Sequence, residues 1–217
     1  MNTGASLEIR RFACGPLETN TYVLVDPGGK TCILVDPAEP GGTVEQFLDR
    51  EGLTVERILL THGHFDHIAG VPGFRARGNA PVWIHAADAD MLIRPEANMS
   101  LFIGLDIRME PADGFLADGA VIPFGSGGGL RVIHTPGHTA GGVCFAGEGF
   151  VLAGDTLFRG SVGRTDFPGS SEQALMRSIR DGLLTLEDDV RVYPGHGETT
   201  EIGFERKHNP FLSGRFR

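Results

Sequence analysis

Apolar positions along the chain gather into short clusters whose period alternates between two residues and three to four. Leu7 to Phe12, Thr21 to Val25 and Thr31 to Val35 read as strands, with Asp26-Pro27-Gly28-Gly29 as the turn between the last two. Thr43-Val44-Glu45-Gln46 has the form of a capping box, and Val44, Phe47 and Leu48 supply an apolar helix face before Gly52 stops it. Val55 to Leu60 predicts a buried strand, Pro81 to Ile84 another, and Ala86 to Ile93 a helix that ends before Pro95. Between Pro95 and Ala120 the pattern is irregular and predicts no regular element.

The second half repeats one grammar. Leu130 to His134, Gly149 to Ala153 and Val190 to Tyr193 predict strands. Each runs into a glycine-containing turn: Thr135-Pro136-Gly137-His138, Gly154-Asp155-Thr156 and Pro194-Gly195-His196-Gly197. Ser170-Ser171-Glu172-Gln173 offers a second capping box, followed by Leu175, Met176, Ile179 and Leu183 on one helical face. The strand ending at Leu60 obeys the same grammar, because it runs directly into Thr61-His62-Gly63-His64-Phe65-Asp66-His67. Strands of one sheet system place their carboxyl-end loops on a common edge, so these separate turns can converge.

Chemistry enters with that last loop. Three of the eight histidines and a carboxylate fall between His62 and His67. His62 and His64 stand two apart, which one helix face cannot present as neighbours, so an extended loop carries them. A divalent metal satisfies such a cluster at once, whereas buried and unpartnered it would be costly. Asp66 and His67 are placed to face a second ion. His85, His134 and His208 read as structural, and Trp83 as core. Nitrogen and oxygen ligands without thiolate suit zinc, iron or manganese.

Composition narrows the partners. With 41% hydrophobic residues in 217, the chain can bury a substantial core, read here as one domain over 1–217. A formal charge of -9 makes nucleic acid or an anionic membrane a poor partner. Met1 to Phe12 lacks the apolar core of a leader, so a cytoplasmic protein is expected. Cys14, Cys32 and Cys144 are too few and too scattered for a disulfide framework or a thiolate zinc site. Nothing in the sequence speaks to oligomeric state.

Taken together, the four motifs resemble the metallo-β-lactamase superfamily. The resemblance implies an α/β fold, an αββα four-layer sandwich with two divalent metal ions along one edge, zinc first and iron or manganese as alternatives. His62, His64 and His138 would hold one ion, Asp66, His67 and His196 the other, with Asp155 bridging; Asp66 and Asp155 are the catalytic carboxylates. Gly154-Asp155-Thr156-Leu157-Phe158 and Gly163-Arg164-Thr165-Asp166-Phe167 are similar to the glyoxalase II type, the hydroxyacylglutathione hydrolases. The tail from Glu205 to Leu212 resembles a compact bacterial subgroup without the extra C-terminal helical domain, as the chain ends about twenty residues after His196.

That implies a thioester hydrolase, with S-lactoylglutathione cleaved to lactate and glutathione. Two ions about 3.5–4 Å apart acidify a water and polarise the carbonyl. An anionic glutathione conjugate needs local cations, for which Arg159, Arg164, Arg206 and Lys207 are the candidates. The alternatives are a persulfide dioxygenase with one iron on residues matching His62, His138 and Asp155, another metallo-hydrolase of this fold, and a metal-binding domain without catalysis.

Overall fold

The computed structural model describes residues 7–26, 28–40, 42–125 and 129–213. The chain opens with an antiparallel meander, β1 (Glu8–Cys14), β2 (Thr19–Val25) and β3 (Thr31–Val35). Pro27, at the expected turn between β2 and β3, lies outside the described residues. Helix α1 (Thr43–Glu51) then leads to β4 (Thr54–Leu59), which pairs parallel with β3. The expected Thr43 cap is displaced by one residue: Glu45 Oε2 accepts from the backbone N–H of Gly42, 2.7 Å away. A short turn of helix, α2 (Phe65–Ile68), and then α3 (Val71–Gly78) separate β4 from β5 (Val82–His85).

Ala86–Leu92, expected as an α-helix, is wound as a 3-10 helix. In the irregular stretch another 3-10 turn spans Ser100–Ile103, and β6 (Gly114–Leu116) adds in parallel to β5. Gly114 is required there because a Cβ would stand 2.7 Å from the Trp83 ring. Strands β1 to β6 thus form one sheet in sequence order.

The second sheet contains β7 (Val121–Ile122), β8 (Leu130–His134), β9 (Val143–Gly147) and β10 (Phe150–Gly154). A small hairpin follows, β11 (Leu157–Phe158) with β12 (Ser161–Val162). Helix α4 (Glu172–Asp181) is capped by Ser171, whose Oγ accepts from the Ala174 N–H at 3.2 Å. Strands β13 (Arg191–Pro194) and β14 (Thr200–Glu201) and helix α5 (Ile202–His208) complete the chain. The sheet order is β14-β13-β10-β9-β8-β7.

Strand alternation builds the layers. On β2 and β3, Val23, Cys32 and Leu34 pack outward with Val44, Leu48 and Phe74 of α1 and α3. Their neighbours Leu24, Ile33 and Val35 turn inward to meet Val132, Phe145 and Leu152 of the other sheet. On the far side Ile133, Cys144 and Val151 pack with Leu175 and Ile179 of α4 and Ile202 of α5. Three apolar seams therefore separate four layers, helix on sheet on sheet on helix. No helix among the described residues is long and apolar enough to cross a membrane.

Candidate metal centre

The carboxyl ends of β4, β8, β10 and β13 bring the histidine and aspartate turns together. Ligand atoms of three groups each lie within 4.8 Å of one another: His62, His64 and His138; His62, His67 and Asp155; Asp66, His67 and His196. Asp155 stands between them, 3.3 Å from His67 Nε2 and 3.6 Å from both His138 Nε2 and His196 Nε2. Asp66 Oδ2 is 3.3 Å from His196 Nε2 and 3.5 Å from His67 Nε2.

The outer nitrogen of most of these rings is already engaged, and that orients the inner one. His138 Nδ1–H donates to the Arg164 carbonyl at 2.8 Å, and His196 Nδ1–H to the Leu17 carbonyl at 3.1 Å. His67 Nδ1–H donates to Asp36 Oδ2 at 2.9 Å, and His62 Nδ1 lies 3.1 Å from the Thr61 hydroxyl. His64 differs, turning Nδ1 inward to within 2.9 Å of His138 Nε2. What remains inside is a set of buried polar atoms without partners: His62 Nε2, His67 Nε2 and Asp155 Oδ1. Orphans of this kind are costly unless a cation occupies the space they face, so the donor set fits divalent metal ions.

Electrostatics divide the cluster in two. Burial, reinforced by His67 and His64, holds His62 far below the usual histidine range, and burial beside His138 pushes His64 down to about 3. Both are neutral imidazoles with a lone pair to give. Burial also opposes charge on His67, but Asp66, Asp155 and Asp36 outweigh it and raise its pKa. Burial likewise works against ionising Asp66 and Asp155, yet His67 and His196 together, helped by Thr19 at Asp66 and by His138 at Asp155, outweigh it and both carboxyls fall below their ordinary range. Three carboxylates thus crowd His67, a local excess of negative charge that favours a cation.

Asp36 escaped the sequence reading. It follows β3, is 1% exposed and accepts three hydrogen bonds, from Thr61 N–H (2.8 Å), the Thr61 hydroxyl (2.6 Å) and His67. The signal was present, because Ile33-Leu34-Val35-Asp36-Pro37 is one more apolar strand ending in a ligand-type side chain. Asp88 was missed as well; it ties down the turn after His138 by accepting from the Thr139 hydroxyl and Gly141 N–H, both at 2.6 Å.

Glycine allows the close approach at two turns. A Cβ on Gly195 would lie 2.1 Å from Asp155 Oδ1, and one on Gly163 would lie 1.9 Å from the Asp155 carbonyl. Both would displace the central carboxylate.

The cluster opens into a cavity of about 430 Å³ walled by Met99, Phe102, Phe158 and Phe167, with Arg164 at its edge. Arg164 stacks on Phe167 at 4.5 Å and pairs with Asp166 at 2.8 Å. The other three candidate cations are not brought to this cavity. Arg159 lies over Phe204, 5.2 Å away, and faces Glu198. Arg206 and Lys207 turn to Asp188, and Arg206 also donates to the carbonyls of Leu184 and Leu186. The remaining histidines stand apart from the cluster: His85 and His134 stack on each other at 4.1 Å, and His208 packs on Phe204.

The family model of the metallo-beta-lactamase superfamily matches residues 14–196, which contain every converging histidine and aspartate. The chain belongs to this superfamily. Among relatives within it, "Probable metallo-hydrolase YqgX" of Bacillus subtilis is 35% identical, over 94% of this chain and 97% of its own. "Hydroxyacylglutathione hydrolase GloC" of Haemophilus influenzae is 32% identical, over 86% and 89%. Two solved structures superpose closely. BLEG-1, a B3 metallo-beta-lactamase, is 37% identical with a TM-score of 0.88, covering 95% of this chain and all of its own. TTHA1623, solved in a di-iron-bound form, is 36% identical with a TM-score of 0.83, covering 94% and 100%.

Proposed function

We propose that the protein is a metal-dependent thioester hydrolase of the hydroxyacylglutathione hydrolase type. The observation that carries this reading is the convergence of buried His62 Nε2, His67 Nε2 and Asp155 Oδ1, without hydrogen-bond partners, in a cluster whose His64, Asp66, His138, Asp155 and His196 line a cavity with apolar walls. His62, His64 and His138 would hold one ion and Asp66, His67 and His196 the second, with Asp155 shared between them. Relatives named as a metallo-hydrolase and a hydroxyacylglutathione hydrolase support hydrolysis, and the di-iron form of TTHA1623 supports two ions.

When bound, such ions supply an acidified water and a polarised carbonyl. Hydrolysis adds water across the thioester C–S bond: oxygen joins the acyl carbon, the electron pair of the broken bond leaves on sulfur, and sulfur takes a proton. Asp66 would act by holding the second ion beside the reacting bond rather than by carrying that proton. It is ionised, it lines the cavity, and Thr19 Oγ1–H donates to its Oδ2 at 2.9 Å, which fixes the carboxylate's orientation. The apolar walls exclude bulk water, and Arg164 is the one proposed cation at hand for a developing thiolate or a substrate carboxylate.

The test is to load the purified protein with zinc, iron or manganese in turn, count the ions, and assay S-lactoylglutathione together with a neutral thioester. About two ions per chain and turnover of at least one substrate are expected. A fully loaded protein inert toward every thioester would remove the assignment. The persulfide dioxygenase would use one iron on His62, His138 and Asp155, and oxygen consumption with glutathione persulfide by the iron-loaded protein would favour it over the hydrolase.

A further inference from the structure

A second cavity, of about 240 Å³, lies beside the first and shares Leu17, Phe65, Asp66 and Ile103 with it. Beyond that shared wall it is enclosed by Cys14, Ala38, Pro40, Leu105 and Ile107. Its few polar groups are already engaged. Thr19 donates to Asp66 at 2.9 Å, the Gly15 N–H to Glu39 at 2.8 Å, and the Cys14 thiol to the Phe12 carbonyl at 3.6 Å. Apart from the Glu39 and Asp66 carboxylates, which would repel an anionic ligand, the lining is mostly apolar. Leu17 and Ile103 on the shared wall and Leu105 beyond it are about half exposed, an uncommon density of apolar side chains to leave facing water.

The direction of the substrate follows from charge. Arg164 lines the first cavity and not the second, so the end that develops negative charge on sulfur belongs with Arg164. The acyl group must then extend past Phe65 and Ile103. We propose that the second cavity is an acyl subsite that accepts the aliphatic chain of a thioester whose carbonyl rests at the histidine and aspartate cluster. A lactoyl group would fill only the first cavity; the shape and polarity of the second suit an unbranched acyl chain of medium length. This inference rests on the thioester hydrolase reading for its chemistry, though not for its binding.

The experiment uses the metal-loaded protein and acetyl, butanoyl, hexanoyl and octanoyl thioesters of N-acetylcysteamine, a neutral thiol. Burying each added methylene should raise kcat/KM by about two- to fourfold, so octanoyl, with four more, should exceed butanoyl by about 16- to 250-fold. Ile107→Trp, which fills the cavity, should flatten that rise. Leu105→Trp is the companion at a half-exposed position, should Ile107→Trp impair folding. Independently of turnover, calorimetry with the ketone analogues, in which CH2 replaces sulfur, should show the same graded affinity and its loss in both variants.

A flat profile with equal affinity for short and long ketones overturns the acyl subsite. So does an equal gain when the alkyl group of the thiol is lengthened instead of the acyl chain. Graded ketone binding without hydrolysis of any thioester would instead refute the hydrolase reading and leave the apolar subsite standing.

Discussion

Asp36 offers the most incisive perturbation, because it touches no substrate and yet sets the chemistry of His67. Replacing it by Ala strands three buried donors, the Thr61 N–H, the Thr61 hydroxyl and His67 Nδ1–H. At about 1–3 kcal/mol for each unsatisfied group, partly offset by relaxation, the loss comes to about 3–6 kcal/mol. That is a large part of a typical domain's stability. The backbone adds to it, since Asp36 sits at φ 50°, a conformation Asp tolerates better than Ala.

Asp36→Asn is the sharper variant. It preserves volume and an oxygen for the Thr61 N–H, so it should cost only about 1–2 kcal/mol. Its amide, however, donates where the carboxylate accepted. His67 must then present Nδ1 as acceptor and carry its proton on Nε2, the atom that faces Asp66 and Asp155. A protonated Nε2 cannot bind metal, so affinity for the ion proposed to rest on Asp66, His67 and His196 should fall by about 10- to 100-fold. Urea denaturation with chelator measures the first quantity, and metal titration followed by elemental analysis measures the second. Asp36→Asn protein that folds normally and binds both ions within about threefold of wild type would refute the role given to Asp36.

Four further outcomes are expected. Gly195→Ala forces a Cβ to within 2.1 Å of Asp155 Oδ1, so a folded variant should lose metal and turnover together; an active variant would show that the turn yields easily. Alanine at both Arg206 and Lys207 should leave KM for glutathione thioesters within about twofold and cost about 1 kcal/mol or less, because these side chains serve Asp188 at the surface. A KM rise with charged substrates alone would return them to the site. Saturation with metal at about 100 times Kd should raise stability by about 2.7 kcal/mol, read as a chelator-sensitive Tm; an identical Tm with and without chelator would contradict the fit of the orphan atoms.

The fourth concerns thiols. Burial pushes Cys32 up to about 12 and Cys144 up to about 11, from an ordinary value of 9.0. Protonated thiol is thus favoured by the fold. The associated stability is fully present below about pH 9 and declines as pH rises toward 11 and 12. Cys32 and Cys144, both fully buried, should react with Ellman's reagent only after denaturation. Rapid labelling of native protein would contradict their placement.

Much of this molecule was determined locally. Strands such as Ile33–Val35 and Val151–Ala153 alternate between two apolar seams, so their pattern already demanded a sheet covered on both faces, and the four-layer fold follows. The histidine and aspartate turns were legible for a related reason: each is adjacent in sequence to the strand that delivers it. What lay beyond reach was every contact between elements with a choice of partners. Asp36 bonds residues 25 and 31 positions away, and nothing local states which carboxylate will reach His67. The cap of α1 fell to Gly42 because Glu45 reaches its N–H, a competition between neighbouring residues that only the folded backbone resolves. Strand β6 owes its existence to the open edge of β5 and to room left by Gly114 for Trp83. The four cations carry the same charge and comparable reach in sequence, but Asp188 claims two of them, Phe204 and Glu198 hold a third, and only Arg164 is left at the cavity. Charge can be counted along a chain, but the counter-charge it meets is decided by long-range packing.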